Sequence, residues 1–206
     1  MDEKLLCIAH TPDQKLQFEL LHRAEDGLAF RVLYDGTLVL SSSRLGICFS
    51  DHPDDLPADL KDHRTRALPF GGTELFVRLR KAGHEIAIRI LVLDDRVAFR
   101  YEFPGYDVPK EAVAEKTSFR FALDASMLGG EASQGLLDES LLALPVLFEL
   151  DNGLYMSVDR VPNDPDPLTL RLTEGRLLSV SEDNNRALLP GIEEVTPWWT
   201  VSFTHP

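Results

Sequence analysis

Apolar and polar positions alternate from Glu85 to Phe103, EIAIRILVLDDRVAFRYEF. Ile86, Ile88, Ile90 and Val92 share one face of an extended chain, and Ala87, Arg89 and Leu91 the other, which is the period of two of a half-buried strand. After Asp94-Asp95 the pattern repeats, with Val97, Phe99, Tyr101 and Phe103 in one row and Arg96, Arg100 and Glu102 in the opposite one. Pro104-Gly105 ends it, because proline brings no donor to a ladder. Two strands alone do not offset the entropy of ordering their backbone, so this hairpin requires a second layer over its apolar row.

The same alternation, punctuated by turn residues, runs through the chain. Leu5–Ala9, Leu16–Leu20, Leu28–Tyr34 and Thr37–Leu40 predict a meander turned at Thr11-Pro12-Asp13, Asp26-Gly27 and Asp35-Gly36. Asp-Gly between alternating runs is a hairpin signal, since glycine takes the positive φ of primed turns. Ser41-Ser42-Ser43 interrupts the pattern, Leu45–Phe49 resumes it, and Asp51–Arg66 follows neither period and predicts a surface loop. Further strands are predicted at Glu74–Lys81, Thr117–Leu123, Pro145–Leu150, Gly153–Val158, Leu168–Leu172, Arg176–Val180 and Trp198–Phe203. Gly129–Leu144, with Leu136, Leu137, Leu141 and Leu142 roughly on one face, predicts one short helix. About a dozen short strands with regular turns predict an all-β chain, a large antiparallel β-sandwich. No linker or repeat divides residues 1–206, so a single domain is expected.

Composition narrows the partners. With 206 residues and 44% apolar content the chain can bury a core without staples, and no run approaches the ~18 apolar residues of a membrane span. The net charge of −13 repels phosphate backbones and anionic lipid, so neither nucleic acid nor membrane is an expected partner. Cys7 and Cys48 stand in apolar contexts, LLCIA and LGICF, without metal-ligand spacing. They read as buried free thiols, a disulfide requiring their strands to be neighbours. The N-terminus MDEKLLCIAH has acids where a leader needs basic residues. That predicts a cytoplasmic chain if this N-terminus is native, and a periplasmic or secreted one if a leader has been removed.

Candidate chemistry is sparse. His52 and His63 lie near Asp51, Asp54, Asp55 and Asp62, but the spacing matches no metal motif, and neither a metal nor a cofactor is expected. His10, His22, His84 and His205 stand singly, and the pairs Asp54-Asp55, Asp94-Asp95 and Glu193-Glu194 are adjacent residues that diverge in direction. No catalytic residue is assigned. Trp198 and Trp199 are the chain's two tryptophans, and as strand neighbours they face opposite sides, one toward the core and one outward. An outward indole suits stacking on a sugar or packing on a partner, or simply covers the end of the sandwich. The acidic segment Asp159–Asp166, DRVPNDPD, suits either a solvated turn or acceptance of hydrogen bonds from sugar hydroxyls. The candidate ligand-binding residues are Asp159, Asn163 and Trp199.

Four segments in order carry a family resemblance. TPDQKLQFEL followed by YDGTLVLSSSRLGICF, the central VLDDRVAFRYEFP, PVLFELDNGLYMSVDR followed by PLTLRL, and VTPWWTVSF resemble the N-terminal domain of glycoside hydrolase family 97. The matches run from residue 11 to residue 203; Arg96 replaces the glycine of the family's "RAYDDGVAFRYEFP", and Trp199 the arginine of its "TPWR". The resemblance implies a supersandwich of the galactose mutarotase type. In that family a (β/α)8 barrel follows the sandwich and carries the catalytic carboxylates, and these have no counterpart in this chain. A sandwich glutamate of the family's "tEA" motif helps hold calcium; the matching position is Asp159, followed by Arg160. A cation there opposes the roughly six to eight oxygens calcium requires, so no metal is implied. The expected function is a non-catalytic sandwich acting through a surface, in carbohydrate recognition or packing on a partner protein. The alternative is a small mutarotase-type enzyme, which needs a histidine facing a carboxylate across strands.

Overall fold

A computed structural model describes residues 3–23, 27–49, 59–81, 83–104, 110–129, 132–133, 140–142, 144–161, 169–173, 176–180, 186–188 and 194–205. In chain order the strands are β1 (Glu3–His10), β2 (Leu16–Arg23), β3 (Gly27–Tyr34), β4 (Thr37–Arg44), β5 (Ile47–Phe49), β6 (Asp59–Ala67) and β7 (Thr73–Lys81). There follow β8 (His84–Leu93), β9 (Arg96–Phe103), β10 (Lys110–Glu115), β11 (Ser118–Phe121), β12 (Ala125–Gly129), β13 (Ala132–Ser133) and β14 (Ser140–Leu142). The last are β15 (Val146–Leu150), β16 (Tyr155–Val161), β17 (Thr169–Thr173), β18 (Arg176–Val180), β19 (Arg186–Leu188), β20 (Glu194–Val195) and β21 (Trp198–Thr204).

These strands form two large antiparallel sheets, one ordered β1-β2-β3-β4-β11-β18-β17-β14-β13 and the other β12-β15-β16-β21-β9-β8-β7-β6. A small sheet, β19-β10-β5, stands beside them. The predicted hairpin is β8–β9, inside the second sheet, with Ile90 opposite Phe99 and Val92 opposite Val97. Its apolar row is buried and meets the inward row of the first sheet, where Phe30 on β3 lies 5.4 Å from the Phe99 ring. One continuous core results, with Phe18, Phe30, Phe99, Phe119 and Trp199 among its largest members. The meander β1–β4 forms as the pattern predicts. At Asp35-Gly36 both residues have positive φ, 49° and 72°, the primed turn that an Asp-Gly pair favours. Cys7 is a buried free thiol, and burial pushes its pKa up to about 11.

Three expectations are corrected. No helix occurs among the described residues; in the predicted helical segment Gly129 ends β12, Ala132–Ser133 and Ser140–Leu142 are strands, Leu144 is a bend, and the rest lies outside the described residues. Short leucine runs fit both periods, and here strand pairing, Leu142 with Leu170, decided. The surface loop predicted for Asp51–Arg66 is, from Asp59 onward, the strand β6, while His52 and its acidic neighbours lie outside the described residues. β6 shows no period because almost every side chain on both its faces is exposed; it is held by its ladder to β7. The serine triplet does not interrupt the meander either. Ser43 is buried within β4, donates to the Ser41 carbonyl oxygen at 2.7 Å and accepts from the Arg120 amide at 2.9 Å, satisfying a polar group that would otherwise be costly to bury.

Candidate functional site

The residues singled out in the sequence separate in the structure. Asp159 is half-buried on the outward face of the second sheet, and its Oδ1 accepts from the Arg160 amide at 2.7 Å. Asn163 lies outside the described residues. Trp199 was expected to offer a stacking face, and it has none: it is 0% exposed, in contact with Phe119 at a centroid distance of 5.2 Å. Strand alternation sent Trp199 inward and left its neighbour Trp198 half-exposed on the outward face.

That outward face holds an ordered row of charged and aromatic side chains. Register sets Arg64 on β6 opposite Phe76 on β7, Phe76 opposite Arg89 on β8, and Arg89 opposite Arg100 on β9. The guanidiniums of Arg64 and Arg89 flank the Phe76 ring at 4.8 and 4.9 Å, and that of Arg100 lies 4.6 Å from the Trp198 ring, so each ring of the row lies against a guanidinium, with Arg89 and Arg100 side by side between the two rings. Two carboxylates hold it. Glu102 accepts from Arg89 at two points, 2.7 and 3.0 Å, and from Arg100 Nη2 at 2.7 Å. Glu74 accepts from Arg89 Nη1 at 3.1 Å and Arg66 Nη2 at 2.9 Å. Burial is the largest influence on Glu102 and pushes its carboxyl up, but the Arg89 and Arg100 hydrogen bonds outweigh it and hold the carboxyl below its ordinary value. The Glu102 hydrogen bond in turn raises Arg89. Across residues 59–103 basic side chains outnumber acidic ones, in a chain whose net charge is −13.

A second polar group lies inside the sandwich. Glu115, at the end of β10, is buried and accepts from the Thr117 hydroxyl at 2.8 Å and from the Trp199 indole N–H. Arg160 on β16 reaches it with Nη2 at 3.4 Å, and its guanidinium lies 5.4 Å from the Trp199 ring. The Thr117 hydroxyl continues to Tyr101 Oη at 3.1 Å. Here burial dominates, and the Glu115 carboxyl is pushed above its ordinary value despite Arg160 and the two neutral donors. Arg160 Nε is buried without a hydrogen-bond partner. Sequence reasoning placed Arg89, Arg100 and Glu102 on the outward row and missed Glu115, whose partners Arg160 and Trp199 are 45 and 84 residues away along the chain. His84, which precedes Glu85 at the start of β8, pairs in register with Lys81. Among the described residues no group of three or more His, Cys, Asp or Glu could hold a metal, and no helix is long and apolar enough to cross a membrane.

Solved structures share this architecture. A β-arabinopyranosidase superposes with a TM-score of 0.78 at 21% identity, covering 96% of this chain and 40% of its own. A glycoside hydrolase family 97 enzyme from Pseudoalteromonas sp. strain K8, in complex with acarbose, gives 0.77 at 17% identity, covering 96% of this chain and 35% of its own. The chain thus spans well under half the length of these two. The Slr1438 protein from Synechocystis sp. PCC 6803 gives 0.60 at 14% identity, with 97% of this chain and 96% of that one covered. At such identities the likeness is one of fold. No curated protein matches the chain. The family model described as Glycosyl-hydrolase 97 N-terminal matches residues 10–204, nearly the whole sequence, and the chain belongs to that family.

Proposed function

We propose that the chain is a non-catalytic β-sandwich that acts through a surface, in carbohydrate recognition or in packing on a partner protein. The supporting observation is the ordered row on the second sheet. An aromatic ring that stacks on a sugar has to offer a bare face, yet Phe76 is flanked by two guanidiniums and Trp198 lies against a third. This face therefore favours packing on a protein. Guanidiniums preset by Glu74 and Glu102 present planar donors with little entropy left to lose, and Val161, opposite Trp198, adds an exposed apolar contact beside them. The expected partner is of the kind that makes up the rest of the longer chains sharing this fold.

Glycoside cleavage needs two carboxyls about 5 to 9.5 Å apart facing the scissile bond. Glu74 and Glu102 are engaged by arginines and Glu115 is enclosed in the core, so these ordered acids do not serve that chemistry. The mutarotase-type alternative needs a histidine facing a carboxylate across strands, and the ladder places Lys81 opposite His84. Purified chain incubated with activated aryl α-glucoside and α-galactoside is expected to match a heat-killed control; hydrolysis above that control overturns the non-catalytic reading. Saturation-transfer NMR against a panel of mono- and oligosaccharides separates the two surface roles, since transfer favours carbohydrate recognition and its absence favours packing.

A further inference from the structure

The turn joining β6 to β7 carries an aromatic side chain that touches almost nothing. Phe70 is 98% exposed, at the tip of the sequence Leu68-Pro69-Phe70-Gly71-Gly72. The turn is built rigidly for so exposed a feature. Leu68 N–H donates to the Gly72 carbonyl oxygen at 3.0 Å and Gly71 N–H to that of Leu68 at 3.2 Å. Gly71 and Gly72 have φ of +89° and +85°, and a Cβ on Gly72 would lie 2.3 Å from the Val92 carbonyl oxygen, so only glycine fits there.

Polar groups converge around its base. A cavity of about 260 Å³ lies between the ends of β1 and the β6–β7 hairpin, lined by His10, Thr65, Arg66 and Thr73 among others. Ala67 and Thr73, the strand ends that bracket the Phe70 turn, both line it, so Phe70 is three residues from the rim on either side. His10 Nδ1 lies 2.8 Å from the Thr11 carbonyl oxygen; that oxygen only accepts, so Nδ1 donates and the neutral ring keeps Nε2 as an acceptor. Thr73 donates to the His10 carbonyl oxygen at 2.7 Å and retains lone pairs. Beside the turn, just beyond β8, stands the exposed Asp94, its Oδ1 3.8 Å from where a Gly71 Cβ would be.

We infer that this end of the sandwich is a saccharide-binding site, with Phe70 stacking on one sugar ring while Asp94, His10, Arg66 and Thr73 exchange hydrogen bonds with its hydroxyls. The inference takes the carbohydrate arm of the proposed function and rests on it. Unlike Phe76 and Trp198, Phe70 offers bare ring faces. A hydroxyl-rich ring needs donors and acceptors interleaved beside an apolar plate, which is the composition found here. A protein anchor would instead sit within an apolar, water-excluding rim. Lipid is disfavoured by Asp94 and Asp95 beside the turn and by the net charge of −13. The cavity is smaller than the roughly 300 to 1,000 Å³ of drug-sized pockets and suits a single sugar unit.

Saturation-transfer NMR with methyl glycosides of glucose, galactose and mannose, and with maltotriose, tests the site on the whole chain. Transfer is expected to at least one of these sugars from the wild type, to fall about fivefold or more in Phe70→Ala and in Asp94→Asn, as loss of a stacking or charge-assisted contact predicts, and to persist in Trp198→Ala. Both substituted side chains are exposed, and amide spectra confirm that each variant keeps its fold. Full transfer in Phe70→Ala overturns the inference. Transfer lost in Trp198→Ala but kept in Phe70→Ala overturns this site while leaving carbohydrate recognition standing on the sheet face. Absence of transfer from the wild type to every sugar overturns both the site and the carbohydrate arm, and leaves partner packing intact.

Discussion

Glu102 and Glu115 are both buried and both face arginine, yet their carboxyls move in opposite directions from the ordinary value of 4.5. Burial is the largest influence on each and pushes each upward. What separates them is the geometry of their partners. Glu102 is held by two arginines through bonds of 2.7 to 3.0 Å, while Glu115 has the Arg160 nitrogen at 3.4 Å and two neutral donors. Charge-assisted, two-point bonds are roughly twice as strong as neutral ones. The outward row thus holds its carboxyl below the ordinary value, and burial holds the interior one above it. An arginine beside a buried acid does not by itself set the direction of the acid's shift; the fit of the bonds decides.

The sharpest break of that comparison is to remove one arginine from each region. Arg160→Ala is expected to cost about 3 to 5 kcal/mol in denaturant unfolding, because it truncates a large buried side chain, opens a void beside Trp199 and removes the guanidinium that faces Glu115. Arg89→Ala should cost less, about 1.5 to 3 kcal/mol, since Glu74 retains Arg66 and Glu102 retains Arg100. If Arg89→Ala proved the more damaging of the two, the row would be the structural element and the interior pair incidental.

Acidity then sharpens the contrast in sign. A carboxyl whose folded pKa is raised contributes stability that is present below the unfolded value and lost as pH rises through the folded one. Relative to Glu115→Gln, wild type should therefore lose stability as pH climbs from 4.5 through the raised value, then level off. Glu102 behaves in reverse: its contribution is present above 4.5 and disappears as pH falls through its lowered value, so Glu102→Gln should flatten the acid limb of the stability profile. Guanidinium melts at half-unit pH steps measure both, and parallel slopes for the two variants would contradict the assignment. The smallest effect is expected from Trp198→Ala. Its indole is half-exposed, and loss of the Arg100 contact should cost about 0.5 to 1 kcal/mol, within reach of a paired melt against wild type.

Much of the fold was legible because strand alternation and turn chemistry are local. The β8–β9 hairpin, the β1–β4 meander and the Asp35-Gly36 turn follow from residues that are neighbours in the chain. The errors fall where local pattern and environment part. β6 carries no apolar face to reveal it, the serines of β4 are made strand-like by the Arg120 amide and the Ser41 carbonyl, and the leucines near residue 140 fit either period until β17 pairs with them.

The functional residues divide in the same way. That Arg89, Arg100 and Glu102 face away from the core, and that Trp198 and Trp199 part company, was set by alternation alone. Which of the two indoles goes inward depended on the register of β21 between β9 and β16, which aligns Trp199 with the buried Phe99. Pairing Glu115 with Arg160, and the Phe70 turn with His10 and Asp94, required segments distant in sequence to be brought together by sheet order. No period records that order, because it arises from which strands share a ladder and which sheets share a core.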